Sequence, residues 1–567
     1  MFIATVPNRN SPPAILLRES YRVAGKVKSR TLANLSKLPA EAIAVLRRVL
    51  KGEQLLPVAA FEVLASAQHG HVEAVLLAMR RLGFARLIAT RPSPQRERVV
   101  AMVAARLLEP DSKLATTRWW HTTTLPDVLS VGEATEDDLY GALDWLLARQ
   151  GRIERKLAAR HLDNDALALY DLSSSYFEGV TCPLAAFGHN RDGKKGKRQV
   201  NYGLLSNGDG VPVAVSVFKG NTGDPKTLLP QVARLREQFH IEHFVLVGDR
   251  GMITQKQVDA LRDIEGVDWV AALRPEAIRS LLGCGALQMD LFDERNLFEL
   301  CHPDFPGERL VACRNPELAV RRAHKRASLL EATTRELDKV RRMVARGRLK
   351  GRDEIGVRVG RVINKYRVAK HFVLDIRDDG FDFRIDNDKI AAEAALDGLY
   401  VVRTSVGAQR LDSAEAVRSY KRLAQVERAF RSLKSFDLRV RPIHHRLESR
   451  VRAHLFVCLL AYYVQWHMRE AWRPLLFCDE DQRAKATRDP VAPAERSASA
   501  QRKALTHTLD DGTPTHSFAT LLKSLSTIVR NTCRIPASNC AGHVFYTVTT
   551  PSAQQQRAYD LLRSIHL

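Results

Sequence analysis

The chain opens with a pattern typical of a small β element, which then gives way to helical spacing. Within residues 1 to about 45, the segment Ser20 to Asn34 mixes β-branched with basic residues and has Gly25 at a predicted turn. From about 40 to 165, apolar residues recur at helical intervals, most clearly from Thr135 to Ala158, where Thr135 is the predicted N-cap. Short helices around Gly70 and Gly83 are compatible with a helix-turn-helix, although short helix pairs are common everywhere.

Strands and helices then alternate in the way that is typical of α/β structure. Apolar runs predict buried strands at Ala166 to Leu172, Gln199 to Ser206, Val211 to Lys219 and Ile241 to Gly248. A turn at residues 207–210 separates the second strand from the third. One helix is predicted to open at Asp224, with Pro225 in its first position, and another covers Thr254 to Ile264.

From about 270 to 400 the pattern changes, and we interpret this region as an insertion rather than part of the first sheet. Asn315 to Val344 is a long charged helix without a strong apolar stripe, and Val357 to Ile376 is strand-like. Helical spacing resumes from Ala414 to Leu433 and from Leu447 to Ala471. Residues 479 to about 515 are polar, with several Pro and Ser, and predict a flexible connection.

The charge of the chain indicates a polyanionic partner. In 567 residues, 87 Lys and Arg stand against 64 Asp and Glu, which gives a formal net charge of +23. Such an excess is costly in self-repulsion unless a polyanion neutralises it. Nucleic acid is the usual polyanion, and a membrane surface is the alternative.

The sequence gives little support to the membrane alternative. The longest strongly apolar run, Leu455 to Val464, has ten residues, about half of what a spanning helix needs. We therefore expect a buried core helix there and no membrane partner. The N-terminus has no secretory pattern, and the eight cysteines include no CxxC pair. Scattered cysteines in a large basic chain favour reduced thiols in a cytoplasm.

Two aspartates each follow an apolar strand. Asp171 comes directly after residues 167–170, and Asp249 directly after residues 245–248. Open α/β sheets place their sites at such strand ends. Two carboxylates brought together there need a cation between them, and Mg²⁺ or Mn²⁺ suits carboxylate ligands. The alternative is that each Asp caps a following turn or helix.

A third acid, Glu427, lies on a later amphipathic helix. At about 100° per residue, one face of this helix is an apolar stripe made of Leu423, Val426, Phe430 and Leu433. The neighbouring face carries Tyr420, Glu427, Arg431 and Lys434. The helix can therefore pack on a sheet and still present an acid among basic groups. The alternative is an amphipathic helix with an i,i+4 ion pair between Glu427 and Arg431.

Taken together, these residues resemble the DDE transposases of bacterial insertion sequences, in the group with a Tyr, Arg, Glu, Lys signature around the third acid. The signature has Tyr seven residues before Glu and Lys seven after it, as Tyr420, Glu427 and Lys434 stand here. Its Arg, four residues before Glu, is replaced by Leu423, with Arg422 beside it. Further resemblance covers Tyr170 to Gly179, Gly188 to Asp224 and Ala453 to Val464.

The resemblance implies an α/β, RNase H-like catalytic core, a mixed sheet flanked by helices. That sheet would carry Asp171 and Asp249 as catalytic residues, and a following helix would carry Glu427. All three would be metal ligands for two Mg²⁺ or Mn²⁺ ions per active site. One ion activates water or a DNA 3′-hydroxyl, and the other stabilises the leaving 3′ oxygen.

The implied organisation has an insertion domain and a mainly helical N-terminal region. The predicted parts are an N-terminal DNA-binding region at 1–165, the first part of the core at 166–270, the insertion domain at 271–400, the second part of the core at 401–475, and a C-terminal region at 476–567. The implied partner is double-stranded DNA, both the terminal inverted repeats of the element and the target. Because two element ends must be brought together, a homodimer on DNA is expected.

Basic residues near the acids, together with Tyr420, are the predicted DNA contacts. Around Glu427 the basic residues are Arg422, Arg431 and Lys434. A loop before the second strand adds Arg191, Lys194, Lys195, Lys197 and Arg198. A further cluster after the Glu427 helix consists of Arg439, Arg441, Arg446, Arg450 and Arg452. Basic loops near a phosphoryl-transfer site suit contact with the DNA backbone, and the alternative for both clusters is a solvated charged surface.

Other functions stay open alongside the leading hypothesis of an insertion-sequence transposase that cuts and joins DNA. One is a non-enzymatic DNA-binding protein derived from a transposase. The presence of all three acids argues against it, and Leu423 in place of the signature Arg keeps it open. A metal-dependent nuclease without strand transfer is another. The last is a basic α/β protein whose acids are only caps and ion pairs. The expected location is a bacterial cytoplasm, in association with the nucleoid.

Overall fold

The computed structural model describes the chain except for residue 10 and residues 54–61, 289–291, 483–486, 493–494, 536–542 and 567. The strands are, in chain order, β1 Phe2–Val6, β2 Ala14–Val23, β3 Lys26–Asn34, β4 Glu62–Gln68, β5 Ala166–Tyr176, β6 Gln199–Asn207, β7 Pro212–Lys219, β8 Phe244–Val247, β9 Val267–Ala272, β10 Leu297–Leu300, β11 Arg309–Arg314, β12 Phe372–Ile376, β13 Phe381–Ile385, β14 Leu399–Thr404, β15 Val529–Ile535 and β16 His543–Val548.

The α-helices are, in chain order, α1 Ala40–Leu50, α2 Gly70–Arg81, α3 Phe84–Ile88, α4 Pro94–Leu108, α5 Lys113–Trp119, α6 Leu125–Leu129, α7 Glu136–Leu147, α8 Gln150–His161, α9 Leu228–Ala233, α10 Gln255–Arg262, α11 Pro275–Gly283, α12 Pro316–Ala345, α13 Arg352–Ile363, α14 Asn387–Ala394, α15 Ser413–Lys421, α16 Leu423–Arg431, α17 Glu448–Ala471, α18 Ala498–Thr506, α19 Phe518–Leu525 and α20 Ala553–Arg563. The chain divides into two compact units. The smaller combines Met1–Ser66 with Arg530–Val548, and the larger combines Ala67–Val529 with Thr549–Leu567.

The smaller unit is built on β-sheets from both ends of the chain. β1, β2 and β3 form an antiparallel sheet, and β2 turns into β3 at the predicted Gly25, whose φ of 80° suits glycine. β4, β15 and β16 form a second sheet, in which Ser66 Oγ donates a 2.6 Å hydrogen bond to Asn531 Oδ1. The prediction of helix from 40 to 165 is therefore wrong at β4, because this strand is stabilised by partners from the far end of the chain.

The larger unit is organised around a mixed sheet. In the described part of the chain this sheet has eight strands in the order β10-β11-β14-β9-β8-β5-β6-β7. β5, β6 and β7 form an antiparallel meander, and β8 and β9 run parallel to β5 on its other side. The strands predicted between 166 and 270 are all present in this sheet, so the mixed α/β prediction is confirmed.

The region from 270 to 400 divides between this sheet and a separate cluster. β10, β11 and β14 extend the sheet beyond β9 in antiparallel fashion, so the prediction that this region stays apart from the first sheet is wrong for them. A buried ion pair with 2.5 Å between nitrogen and oxygen joins Arg403 of β14 to Glu308 beside β11. These strands have only four to six residues, which leaves little pattern for the sequence to reveal.

The separate cluster consists of α12 and α13 with the β12–β13 hairpin. α12 agrees with the predicted long helix, and Asn315 caps it by accepting a 2.8 Å hydrogen bond from the Leu318 amide. The strand predicted from Val357 to Ile376 is confirmed only at β12, Phe372–Ile376; residues up to 363 belong to α13, and a turn with a short 3-10 helix follows. Ile355, Val359 and Ile363 recur every fourth residue and bury one helical face. Burial of this face outweighs the strand preference of β-branched residues.

Helices of the N-terminal region and α17 cover the sheet and complete the main core. Thr135 caps α7 in a capping box with Asp138, as predicted, but the predicted helix from 135 to 158 is divided into α7 and α8. α2 and α3 meet at Gly83, yet α2 buries most of its surface, including Val72, Val75 and Met79. α2 is therefore a core helix. The second helix of the pair, α3, has five residues, of which Phe84, Leu87 and Ile88 are buried, so this pair lacks the exposed second helix that a helix-turn-helix places in the DNA groove.

The apolar run Leu455–Val464 lies entirely within α17 and is buried, which confirms the predicted core helix. Among the described residues, no helix combines the length and the apolar character that crossing a bilayer requires. The predicted connection from 479 to 515 falls partly outside the described residues, at 483–486 and 493–494. Its described part contains α18.

Candidate active site

The first two predicted acids lie at corresponding positions of adjacent parallel strands, just past the end of their pairing. β5 pairs with β8 from Ala166 to Leu169, and Leu169 lies opposite Val247. Asp171 is two residues beyond that last pair on β5, and Asp249 is two residues beyond Val247. β5 continues beside β6 to Tyr176, so Asp171 lies within its strand rather than near its end. β8 ends before β5 does. The two aspartates therefore lie at corresponding positions, just where β5 no longer has β8 beside it.

Asp171 is half-buried, and its carboxyl is influenced by both other acids. The Leu172 amide donates a 2.7 Å hydrogen bond to Asp171 Oδ1. Burial raises the pKa of the Asp171 carboxyl to about 7, and the negative charges of Asp249 and Glu427 act in the same direction. The Leu172 amide and Arg191 act in the opposite direction. The three predicted acids, far apart in the sequence, therefore interact through space.

Glu427 reaches this place on α16, which packs against β5. Val426 and Phe430 are buried on the inner face, and the Phe430 ring meets Tyr202 of β6 edge-on with 5.8 Å between centroids. Glu427 is exposed beside them. The helix predicted from 414 to 433 is divided into α15 and α16, followed by a π-helical turn at Ser432–Phe436. Within the described residues, Glu427 forms no ion pair with Arg431.

Tyr420, predicted as a DNA contact, lies against the second acid. Its hydroxyl donates a long hydrogen bond of 3.4 Å to Asp249 Oδ1. Burial raises the pKa of the Tyr420 hydroxyl, and the charge of Asp249 raises it further, so the hydroxyl stays a donor at neutral pH. Tyr420 thus connects the helical segment of Glu427 with the end of β8.

Lys434, the other signature residue, is paired with a carboxylate that the sequence analysis did not identify. Lys434 Nζ lies 3.1 Å from Asp192 Oδ1, and Arg441 contacts the same oxygen. The Tyr176 amide donates a 3.0 Å hydrogen bond to Asp192 Oδ2. The Asp192 side chain is only 2% exposed. A lone acid in a loop of lysines and arginines was the signal available in the sequence, because a carboxylate there neutralises neighbouring cations.

The basic loop that contains Asp192 lies beside the far end of β5. Lys194, Lys195 and Lys197 are exposed, and Lys197 pairs with Glu178 at 2.8 Å. Arg198 donates a 2.8 Å hydrogen bond to the carbonyl of Val180. Lys194 Nζ lies 5.8 Å from the centre of the Tyr176 ring. The structure therefore brings these predicted DNA contacts to the strand that carries Asp171.

The remaining predicted contacts are dispersed. Arg422 lies at the junction of α15 and α16 and pairs with Glu415 at 3.3 Å. Arg431 is exposed at the end of α16. In the second basic cluster, Arg452 pairs with Glu448 at 2.7 Å and donates to the carbonyl of Val217. The other members of this cluster line a cavity; they are Arg439, Arg441, Arg446 and Arg450.

The donor chemistry of the three acids suits a divalent cation. Each supplies carboxylate oxygens, and the pKa of Asp171 is raised mainly by burial and further by the charges of Asp249 and Glu427, so a nearby cation would favour its ionised form. Within the described residues, however, no group of three His, Cys, Asp or Glu side chains is arranged closely enough to hold a metal ion. The acids therefore fit a metal site in chemistry and charge, and they would have to close around the ion.

Comparisons with known proteins place this geometry in context. The model of the Transposase DDE domain matches residues 180–464, about half of the chain. The match includes Asp249 and Glu427 and begins nine residues after Asp171. The model of the IS1634 family transposase N-terminal domain matches residues 3–56. No curated protein matches the chain.

Among solved structures, the chain is similar to the piggyBac transposase in a cryo-EM synaptic complex with hairpin DNA. The two chains are 8% identical, and the alignment covers 80% of this chain and 78% of the other with a TM-score of 0.36.

Proposed function

The chain belongs to the DDE transposase family of insertion sequences, and on this premise we propose that Asp171, Asp249 and Glu427 form its site for cutting and joining DNA. As a member of this family it is a DNA transposase, an enzyme that cleaves DNA and transfers strands with the help of divalent metal ions. The observation that supports this site best is the strand geometry: Asp171 and Asp249 each stand two residues beyond the last paired residues of the adjacent parallel strands β5 and β8, and the helix α16 that carries Glu427 packs against β5.

The strand order supports an RNase H-like core. Within the mixed sheet, β7-β6-β5 form the antiparallel meander, and β8 and β9 follow in parallel beside β5. In this proposal the core comprises residues 166–270 and 401–475, and residues 271–400 are the insertion domain. The parts at 1–165 and 476–567 are then the N-terminal DNA-binding region and the C-terminal region.

Asp171, Asp249 and Glu427 would hold two ions, with Mg²⁺ the preferred metal for oxygen ligands. When bound, the ions supply activation of the attacking hydroxyl and stabilisation of the leaving 3′ oxygen. The chain itself positions the acids. β5 fixes Asp171 within the sheet, and the Tyr420 hydroxyl holds Asp249 by its hydrogen bond. The exposed Glu427 has the freedom to close toward the two aspartates.

DNA would approach along the basic side of this site. Lys194, Lys195 and Lys197 are exposed in the loop beside the end of β5, where backbone phosphates can reach them. Asp192 fixes the direction of Lys434 and ties it to this loop. Arg198, Arg422 and Arg431 are secondary contacts in this proposal. The assembly on DNA is a homodimer, in which each chain acts on one terminal inverted repeat.

The test is cleavage and joining of the DNA that flanks the gene of this protein, with Mg²⁺ or with EDTA. The parent is expected to cut and join with Mg²⁺ only, and Glu427→Gln to do neither. Glu237→Gln is the control, since Glu237 is an exposed glutamate of another helical segment. Cutting without joining by the parent indicates a nuclease, and binding without cutting indicates a DNA-binding relic. Equal activity of Glu427→Gln and the parent would remove Glu427 from the site.

A further inference from the structure

A cavity rich in positive charge is lined by Arg441, which also contacts Asp192, the partner of Lys434. Its volume is about 680 Å³, and its walls come from α4, α5, α7, α17 and the segment at 439–447. The cationic side chains of the lining are Arg106, Lys113, Arg439, Arg441, Arg446 and Arg450. Among the described lining residues, the only carboxylate is that of Asp111. The cavity therefore carries a large excess of positive charge.

Lys113 and Arg106 are buried in the wall of this cavity, with 4% and 7% of their surface exposed. Arg106 donates a 3.0 Å hydrogen bond to the carbonyl of Asp111, which is uncharged. Lys113 has no hydrogen bond or ion pair with the described residues. A buried ammonium group without a carboxylate is costly unless a ligand compensates it.

The environment of Lys113 reflects this cost. Burial lowers the pKa of the Lys113 ammonium to about 7, and the Arg106 guanidinium lowers it further, whereas Cys458 raises it slightly. Burial also lowers the pKa of His445 to about 3, helped by the charges of Lys113 and Arg106. The cations therefore repel one another, and His445 stays neutral.

A donor without an acceptor gives further support for an anion site. Arg450 Nε is buried and has no hydrogen-bond partner among the described residues. Arg450 lines the cavity, and its guanidinium lies over the Tyr140 ring at 4.2 Å. An anion with several acceptor oxygens would satisfy this donor together with Lys113 and Arg106.

We propose that this cavity is a binding site for a phosphate group, and that the group belongs to the backbone of the bound DNA. The DNA assignment rests on the proposed function. It is supported by Arg441, which lines the cavity and also contacts Asp192, the partner of Lys434. A strand held by the basic loop and Lys434 can thus present a neighbouring phosphodiester to the cavity. Free inorganic phosphate is the other source of the same chemistry.

The first experiment measures thermal stabilisation of the full chain by inorganic phosphate, with chloride at equal ionic strength as reference. The parent is expected to gain in Tm with phosphate, and Lys113→Met to lose at least about four-fifths of that gain, because ligand binding stabilises the folded state by mass action. Lys256→Met is the matched control, since Lys256 is exposed on α10. Arg446→Gln changes an exposed residue at the cavity and is expected to reduce the gain without risk to folding.

The second experiment measures binding of the flanking DNA at several salt concentrations. Lys113→Met is expected to bind about tenfold more weakly, with a salt dependence reduced by about one phosphate contact. If phosphate stabilisation depends on Lys113 and DNA binding does not, the cavity takes free phosphate and the DNA source is overturned. If neither depends on Lys113 or Arg446, the site itself is overturned. A parent that still cuts DNA then leaves the proposed function intact.

Discussion

Two regions of the larger unit hold charges that the fold leaves poorly balanced, and they differ in sign. The acidic site brings Asp171, Asp249 and Glu427 near one another, and the carboxyl of Asp171 has a raised pKa of about 7. The cationic cavity brings Lys113 near Arg106, and the ammonium of Lys113 has a lowered pKa of about 7. In both regions burial is the largest cause, and like charges add to it.

Each region lacks a ligand of the opposite charge. Negative charge among oxygen donors calls for a divalent cation, and positive charge among nitrogen donors calls for a phosphate. The two regions are joined by Asp192, which accepts from Lys434 beside the acids and from Arg441 in the cavity wall. DNA and metal ions together would balance both regions, which fits a transposase that is complete only with its substrate.

The largest effect is expected from breaking the acidic region. Asp171→Asn and Asp249→Asn should each reduce DNA cleavage by about a thousandfold or more, because in the proposed site each removes a charged metal ligand. Asp263→Asn, a change at an exposed aspartate after α10, should cut like the parent. The measurement is cleavage of labelled flanking DNA under single-turnover conditions. A loss below tenfold in either variant would mean that the residue is not a ligand.

The second-largest effect is expected at Asp192, which connects the two regions. Asp192→Asn leaves Lys434 and Arg441 without their shared carboxylate, and we expect a loss of about 3 kcal/mol in the free energy of unfolding. Glu178→Gln breaks the exposed pair with Lys197 in the same neighbourhood, and we expect a loss below about 0.5 kcal/mol. Denaturant unfolding of the metal-free protein compares the two. Similar losses would show that Asp192 is not the anchor of this region.

A substitution that removes the unbalanced charge should raise the free energy of unfolding of the ligand-free protein by about 1 to 2 kcal/mol in either region. The pH dependence of this gain should be opposite in the two regions. The raised pKa of Asp171 makes folding less favourable as pH rises toward 7, so Asp171→Asn should gain more at pH 8 than at pH 5. The lowered pKa of Lys113 makes folding less favourable as pH falls toward 7, so Lys113→Met should gain more at pH 6 than at pH 9. Denaturant unfolding across this range is the measurement. Equal gains at all pH values would contradict the charge argument.

The smallest effect is expected at Tyr420. Its hydrogen bond to Asp249 is long at 3.4 Å, so Tyr420→Phe should reduce cleavage by no more than about threefold. The apolar packing of the ring is unchanged by this substitution. Comparison of cleavage rates at saturating Mg²⁺ measures the effect. A loss of a hundredfold would assign the hydroxyl a direct part in the reaction.

Much of the sheet could be predicted because its central strands carry continuous apolar runs. β5, β6, β7 and β8 all lie where such runs predict them. β4 could not be predicted in this way, because its neighbour in the sheet, β15, is over 450 positions away in the chain. The helix α13 was misread because its buried residues are β-branched and favour strands when taken one by one.

The sequence indicated the acids of the candidate site by the apolar runs before Asp171 and Asp249 and by the amphipathic helix of Glu427, although β5 continues past Asp171 to Tyr176. Asp192 and Lys113 were not predictable, because their importance comes from burial. Asp192 looks like one polar loop residue, yet its side chain is 2% exposed between two cations. Lys113 looks like an ordinary surface lysine at the start of a helix, yet it is 4% exposed. Tertiary packing alone creates both environments.

The most direct test of the account is whether the three acids bind the same ions. Binding of Mn²⁺ to the full chain is followed by electron paramagnetic resonance, with and without the flanking DNA. We expect the parent to bind Mn²⁺ and Asp171→Asn, Asp249→Asn and Glu427→Gln each to weaken binding of the same ions. A double variant should lose less binding free energy than the sum of the two single losses, as expected of one shared site. Binding by Glu427→Gln equal to that of the parent, with binding lost in both aspartate variants, would contradict the account.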